Sequence, residues 1–385
     1  MLIEVIPPVR REARGGGDDA PRKAYVELTT ACNLDCAMCL RRAFEEPGGE
    51  MSLATFRRVV EQCAELPGLA TLNFSGYGEP MAHPLFVEFV ALAKGARFAV
   101  EAVTNGLLLT PEAMERLIKL RLDKLIVSVD GLSGDASQSL HAGTFPAVEG
   151  NLRAFHRLRV LHNVAYPEVV IEFVATKRNI GELPALVRLA PQLGFTGVLV
   201  TNLVPHTPEL AGDILYDQWT TASRRHLITP WDPAVDLPLM DPRSAASGVV
   251  ERMRATGTRL RRNGADVAGA DPRCPFVAEG RLAIRWDGAV SPCLPLLHSH
   301  TYYFRDKAKR ARRYVLGNIH ETRLKDLWQG GEYRAFRGRV REFAFAPCVE
   351  CGGCDLRRDN EEDCFGDDFP RCGECLWAAG IVQCP

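Results

Sequence analysis

What this sequence lacks narrows it first. No apolar run approaches the ~18 residues that a membrane-spanning helix needs, so a helical membrane protein is not expected. Net charge is nearly absent: 47 Lys and Arg against 48 Asp and Glu leave −1 at pH 7. No global field therefore draws in nucleic acid or an anionic membrane surface. Lysine is scarce, 8 of the 47 basic residues, a bias that reads as genomic composition rather than function. No segment repeats with a period of 20–50 residues, which excludes solenoids and propellers. Met1–Pro8 carries Glu4 and lacks a basic start before an apolar core, so it does not read as a signal peptide. The expectation is a cytoplasmic globular protein of 385 residues, two to three domains at ~150 residues each, with no nucleic-acid or membrane partner.

Cysteine is what the chain has in excess. Of 13 Cys, three cluster at Cys32, Cys36 and Cys39, and nine lie between Cys274 and Cys384. An odd total fits a disulfide framework poorly, and disulfides do not persist in a reducing compartment. Clustered thiols in such a chain point to metal or redox chemistry. Cys63 stands alone inside a helical pattern and reads as a core residue.

Residues 1–22 read as a tail, with three consecutive Gly and little to bury. Thereafter short apolar or β-branched runs alternate with helical stretches. Strands are expected near 24–29, 70–75, 97–104, 123–130, 168–176 and 197–203, and helices near 52–66, 84–95, 111–120, 146–160 and 181–193. Nearly continuous apolar strands such as Val169-Val-Ile-Glu-Phe-Val174 suit parallel strands covered on both faces. Six such alternations predict a parallel α/β domain over 23–205, an open sheet or a partial barrel, with ligands at the strand C-terminal ends. Residues 206–270 lose periodicity and read as a connector. From 271 to 385 the chain is Cys-rich, with a hairpin signal at Trp286-Asp-Gly288 and helix returning near 322–337. This small second domain is expected to depend on whatever its cysteines bind.

Cys32-x3-Cys36-x2-Cys39 follows directly on the first strand. Three thiolates on a loop can hold three irons of a 4Fe–4S cluster and leave the fourth open. A structural zinc site wants four closed ligands. Phe74-Ser-Gly-Tyr77-Gly78-Glu79-Pro80 ends the second expected strand, Thr104-Asn105-Gly106 the third, and Ser128-Val-Asp-Gly131 the fourth. With these segments in this order, the sequence resembles the radical S-adenosyl-L-methionine (SAM) superfamily. The resemblance implies an α/β fold, a partial (β/α)6 TIM-like barrel. It also implies reductive cleavage of SAM to methionine and a 5′-deoxyadenosyl radical that abstracts hydrogen from a substrate. Residue roles come with it: Cys32, Cys36 and Cys39 bind the cluster, and the backbone around Tyr77, Gly78 and Glu79 receives the SAM amino group. Asn105 and Ser128 stand where the family contacts ribose and carboxylate, and Met38 where it packs a residue on adenine. Gly76 and Gly78 leave the backbone room to approach a ligand. Substituting Gly78 is thus expected to weaken SAM binding and spare the cluster, whose thiolates lie on a different loop. Relatives often carry Arg-Gly-x-x-Phe where this chain has His141-Ala-Gly-Thr-Phe145, so no Arg is assigned to the SAM carboxylate.

Cys274-x13-Gly288-x4-Cys293 is followed by Cys348-x2-Cys351-x2-Cys354, Cys364, Cys372-x2-Cys375 and Cys384. This pattern resembles the SPASM extension of many radical SAM enzymes, which implies two auxiliary 4Fe–4S clusters. Nine cysteines exceed the eight that two clusters need, and the family's third Cys group is not matched after Cys351, so the ligand sets stay open. A zinc-ribbon-like module is the alternative. Cys293 is followed by Leu294 where sulfatase maturases place an Asp base, and no catalytic residue is assigned. The runs Trp286–His300 and Cys351–Pro385 are similar to the subgroup named as maturases of tungsten cofactor oxidoreductases, the aldehyde:ferredoxin oxidoreductase type. The implied function is a radical SAM oxidoreductase or maturase acting on a protein, peptide or cofactor, with a ferredoxin or flavodoxin as electron donor. The alternatives are a peptide-modifying enzyme (thioether or C–C cross-link, epimerisation) and a non-catalytic, metal-stabilised binding module. His298-x-His300 reads as metal ligands, a proton-handling pair or surface histidines. Asp213, Trp219 and Trp231 are candidates to line a substrate mouth.

Overall fold

The computed structural model describes residues 19–132, 143–216, 234–238, 240, 246–255, 259–262, 265–266, 274–304, 307–343, 345–346 and 355–385. Strand and helix alternate through the first half: β1 (Lys23–Val26), α1 (Leu53–Ala64), β2 (Thr71–Phe74), α2 (Phe86–Gly95), β3 (Ala99–Thr104) and α3 (Pro111–Lys119). Then come β4 (Lys124–Ser128), α4 (Phe145–Leu161), β5 (Glu168–Ala175), α5 (Leu183–Arg188), α6 (Ala190–Leu193) and β6 (Gly197–Asn202). All six expected strands form, each within a few residues of its expected bounds. Helix starts follow from local chemistry: Ser52 Oγ accepts from Thr55 N at 3.0 Å ahead of α1, and Thr110 Oγ1 from Ala113 N at 3.2 Å ahead of α3. Pro111 occupies the first turn, where a missing N–H costs nothing.

The remainder supplies α7 (Pro208–Ala211), β7 (Ala234–Asp236), α8 (Ala246–Ala255), β8 (Arg259–Arg262), β9 (Ala265–Asp266), α9 (Pro275–Ala278), β10 (Arg281–Ile284) and β11 (Ala289–Ser291). It ends with β12 (His300–Phe304), β13 (Lys307–Ala311), β14 (Gly317–Asn318), α10 (Leu324–Gln329) and α11 (Gly331–Glu342). Strands β1 to β6 pair in parallel and in order, forming a partial TIM-like barrel. The sheet runs on at both edges, in the order β14-β11-β10-β1-β2-β3-β4-β5-β6-β7-β8-β9. Among the described residues no helix is long and apolar enough to cross a membrane.

Three boundaries differ from the sequence reading. Residues 206–270, expected as a connector, contribute β7 and β8 parallel beyond β6, and β9 antiparallel after them. Strands this short carry no readable period. Second, β10 from the Cys-rich half pairs in parallel with β1, from Lys23↔Arg281 to Val26↔Ile284, so the two expected domains share one sheet. Third, Asp19–Arg22, placed in the tail, is anchored: Arg22 N donates to Gly280 O at 2.7 Å, and Arg337 Nε and Nη2 donate to Asp19 at 2.8 and 2.7 Å. Polar partners far along the chain hold these residues, which composition does not show.

Strand alternation separates two faces. Outward residues, among them Ala24, Val26, Leu72, Phe74, Val100, Leu125 and Ile171, form one core with Phe56 of α1, Phe89 of α2, Leu117 of α3 and Phe155 of α4. The inner face is polar. Tyr25, Asn73 and Glu101 lie in register across it, and Ser128 lies in register with Glu172. Lys23 Nζ stands 2.5 Å from Glu101 Oε2, to which Asn73 Nδ2 also donates at 2.8 Å. A second apolar cluster, including Tyr25, Ala283, Trp377, Ile381 and Val382, packs the last residues of the chain against this inner face.

Candidate functional site

Cys32, Cys36 and Cys39 are half-buried on the loop that leaves β1. Arg41 staples this loop, donating to Thr30 O at 2.7 Å and Leu34 O at 3.1 Å. Asn105, beyond β3, donates through Nδ2 to Asn33 Oδ1 at 2.7 Å and faces Cys32 Sγ at 3.8 Å. Burial, and then the neighbouring Cys39 and Cys32, push the Cys36 thiol up to about 12. Burial raises Cys39 as well. Buried thiols that hinder one another's ionisation fit a site where bound iron compensates the thiolate charge.

The expected SAM residues divide into two groups. Glu79 is 2% exposed. Its Oε1 accepts from Met81 N at 2.9 Å, its Oε2 from Asn105 N at 2.7 Å, and its own N–H donates to Ala31 O at 2.8 Å. It therefore ties the ends of β2 and β3 to the cysteine loop, and burial raises its pKa. Gly78 corrects the sequence reading. A Cβ there would stand 2.6 Å from Ala31 O and nearer still to Thr29 O, so the cysteine loop itself requires this glycine. The two loops are not independent. Further off, Ser128 Oγ donates to Glu172 Oε2 at 3.1 Å, and Met38 packs against Leu203 and Leu210 beyond β6. The Tyr77 side chain turns toward the Cys-rich half: its hydroxyl donates to Leu294 O at 3.3 Å and its ring meets Phe44 edge-on at 4.7 Å.

Cys274, Cys293, Cys372 and Cys375 line one cavity of about 60 Å³. Burial raises all four thiols, and the charges of neighbouring cysteines add to the effect at Cys274, Cys293 and Cys372. Among the described residues no three His, Cys, Asp or Glu side chains converge as they would on one metal ion. What these thiols share is the cavity. Cys384 is not in its wall. Its Sγ accepts from Trp377 Nε1 at 3.1 Å, and Glu172, Arg281 and Lys23 act on its charge. Cys364 is exposed. Cys348, Cys351 and Cys354 lie outside the described residues, as do His141, Trp219 and Trp231. Cys63 is wholly buried in the core.

The histidines are not surface groups: His298 and His300 are each 1% exposed. His298 Nε2 lies 2.9 and 3.1 Å from the two carboxylate oxygens of Glu27, and its ring stacks on Phe44 at 4.3 Å. His300 lines the four-thiol cavity; its Nδ1 is 3.0 Å from His298 O, and burial pulls its pKa down to about 4. Asp213 is committed to an ion pair with Arg178. The sequence reading missed Glu27 and Glu172. Burial raises Glu172 to about 7, against the hydrogen bond from Ser128. Its signal was present: a lone carboxylate inside the apolar run Val169–Val174.

The family model described as the radical SAM superfamily matches residues 26–183, and that of the SPASM iron–sulfur cluster-binding domain matches 274–355. The tungsten-containing aldehyde ferredoxin oxidoreductase cofactor-modifying protein of Pyrococcus furiosus is 31% identical over 369 residues, covering 94% of this chain and 96% of its own. The mycofactocin maturase MftC of Mycolicibacterium smegmatis is 25% identical over 346 residues, covering 89% and 78%. Among solved structures, Streptococcus suis SuiB bound to S-adenosylmethionine gives a TM-score of 0.57 at 16% identity, over 87% of this chain and 71% of that one. That likeness speaks for the fold alone.

Proposed function

We propose, from the premise that this chain belongs to the radical SAM superfamily and carries its SPASM cluster-binding extension, that it modifies the cofactor of a tungsten-dependent oxidoreductase. The chain is an enzyme that depends on 4Fe–4S clusters and SAM. One observation carries the substrate: 31% identity over 94% of the chain to a protein named for cofactor modification. When bound, the cluster and SAM supply a 5′-deoxyadenosyl radical that takes hydrogen from an unactivated C–H bond.

The residues divide the work. Cys32, Cys36 and Cys39 would hold the SAM-binding 4Fe–4S cluster, three thiolates leaving one iron for SAM. The backbone at Tyr77, Gly78 and Glu79, with Asn105, would receive the methionyl end; Ser128 would serve the ribose and carboxylate, and Met38 the adenine. Cys274, Cys293, Cys372 and Cys375, which share a cavity, form one auxiliary ligand set. Cys348, Cys351, Cys354 and Cys364 remain as candidates for the other, and Cys384, outside that cavity, would be the spare. A ferredoxin or flavodoxin supplies electrons in the cytoplasm, where thiolate ligands stay reduced.

Similarity to mycofactocin maturase favours peptide modification as the second reading. Deleting the gene in its host separates the two. The tungsten reading expects an aldehyde-oxidising tungsten enzyme that binds metal and lacks activity. A fully active tungsten enzyme in the deletion strain, with SAM turnover raised only by a short peptide, would establish the other reading.

A further inference from the structure

Glu27 stands just past β1, where its N–H donates to Ile284 O at 2.9 Å and continues the pairing with β10. Its carboxylate, 0% exposed, accepts from two directions. From the Cys-rich half comes His298 Nε2, at 2.9 and 3.1 Å from the two oxygens. An ionised carboxylate only accepts, so the ring nitrogen supplies the hydrogen. From the end of β2 comes the backbone N–H of Tyr77, 3.3 Å from Oε1. The same side chain lies against Gly76, where a Cβ would stand 2.6 Å from Glu27 Cγ and 3.0 Å from Oε1. Only glycine lets the two come so close. Rings close the remaining sides. Phe44, just beyond Cys39, stacks on His298 at 4.3 Å and 9°, and Tyr77 meets both rings nearly at right angles, at 4.7 and 5.8 Å. The Tyr77 hydroxyl donates to Leu294 O, next to Cys293. His298, 1% exposed, is thereby held in one orientation.

The consequence falls on one peptide plane. A trans peptide points its N–H and its C=O in opposite directions. By taking the Tyr77 N–H, the Glu27 carboxylate therefore sets the direction of Gly76 O. The SAM amino group, its lone pair taken by a proton or by iron, offers only N–H donors, so a backbone that receives it must present carbonyl oxygens. We propose that Glu27 and His298 are positioning residues for SAM: through the Gly76–Tyr77 peptide they hold the carbonyl edge on which the amino group docks. His298 aims the carboxylate, the carboxylate aims the peptide, and the peptide meets the ligand. The pair thus makes the Cys-rich half a working part of the SAM site. The inference rests on the amino-group role proposed for the Tyr77–Glu79 backbone and is independent of what the enzyme modifies.

The test separates the two ends of SAM. The cluster-loaded full chain is kept anaerobic and oxidised, so that SAM binds and is not cleaved. Dissociation constants are measured by equilibrium dialysis for SAM and for 5′-methylthioadenosine, which keeps the nucleoside and lacks the amino-acid end. Iron analysis refers each affinity to loaded sites. His298→Leu should weaken SAM binding about ten-fold, the cost of one misdirected hydrogen bond, and leave methylthioadenosine binding unchanged. His298→Gln, whose amide N–H still serves Glu27, should recover most of the SAM affinity. Glu27→Gln leaves one acceptor oxygen for two donors; it should show the same selective loss, and it carries the test if His298→Leu does not fold. Equal losses for both ligands would overturn the proposal and leave the pair a structural support, as would unchanged SAM affinity in the folded variants. Wild type that binds SAM no more tightly than methylthioadenosine would overturn the amino-group site itself, and the proposal with it.

Discussion

Gly78→Ala tests how the SAM side of the site is built. The new Cβ would begin 2.6 Å from Ala31 O, against the 3.4 Å of ordinary contact, so the loop must retreat by about 0.8 Å there and further at Thr29 O. Both carbonyls belong to the backbone that leads into Cys32, and the Glu79 N–H bond to Ala31 O at 2.8 Å goes with them. Overpacking costs about 1–3 kcal/mol and a lost hydrogen bond about 1 kcal/mol, so the variant should lose about 2–4 kcal/mol. Denaturant unfolding of the cluster-loaded enzyme gives that number. Electron paramagnetic resonance of the SAM-binding cluster, with iron analysis, gives its occupancy. The expected result is lower stability and a diminished signal from that cluster, with auxiliary iron retained. A variant of wild-type stability and full cluster content that binds SAM weakly would refute this reasoning and restore a role for Gly78 at the ligand alone.

Cys274→Ser should lower iron by about one four-iron cluster per chain, whereas Cys384→Ser should leave iron unchanged; the reverse pattern would exchange the ligand and the spare. His298→Leu leaves the Glu27 carboxylate, 0% exposed, with only the Tyr77 N–H at 3.3 Å, and should cost about 3 kcal/mol in unfolding free energy; a loss below about 1 kcal/mol would mean the pair contributes little. Hydrogen bonds from Arg337, and then Arg341, hold the Asp19 carboxylate down to about 2 from 3.8. Because the folded value lies below the unfolded one, its stabilisation is present above that interval and lost as pH falls through it. Asp19→Asn should be slightly less stable than wild type at neutral pH, by an amount small for so exposed a group, and should converge on it as pH falls through about 2. A constant difference across that range would show that packing, not charge, anchors Asp19.

The barrel was legible because its signals are local. Apolar runs such as Val169–Val174 and caps such as Ser52 and Thr110 announce elements within a dozen residues, and the motifs fall at the strand ends. The extensions of the sheet were not legible. The pairing of Arg281–Ile284 with Lys23–Val26 joins segments that no window spans, and Ala234–Asp236 is too short for a period. The same holds within the site. Cys32, Cys36 and Cys39 read directly from spacing, and Asn105 from its place after β3. The Glu27–His298 pair closes across 271 residues, and the collision that fixes Gly78 lies between two loops that sequence treats as separate. Nine cysteines could be counted but not sorted, because sorting needs the cavity that gathers Cys274 and Cys293 with Cys372 and Cys375.

The central claim is that the Cys32, Cys36 and Cys39 loop drives reductive cleavage of SAM. The direct test is anaerobic: wild type and the Cys32→Ala, Cys36→Ala, Cys39→Ala triple variant are reconstituted with iron and sulfide, reduced, mixed with SAM and assayed for 5′-deoxyadenosine. Wild type should bind about twelve irons per chain, as three four-iron clusters require, and release 5′-deoxyadenosine; the triple variant should keep about eight irons and release none. Product from the triple variant, or none from iron-replete wild type, would contradict the account.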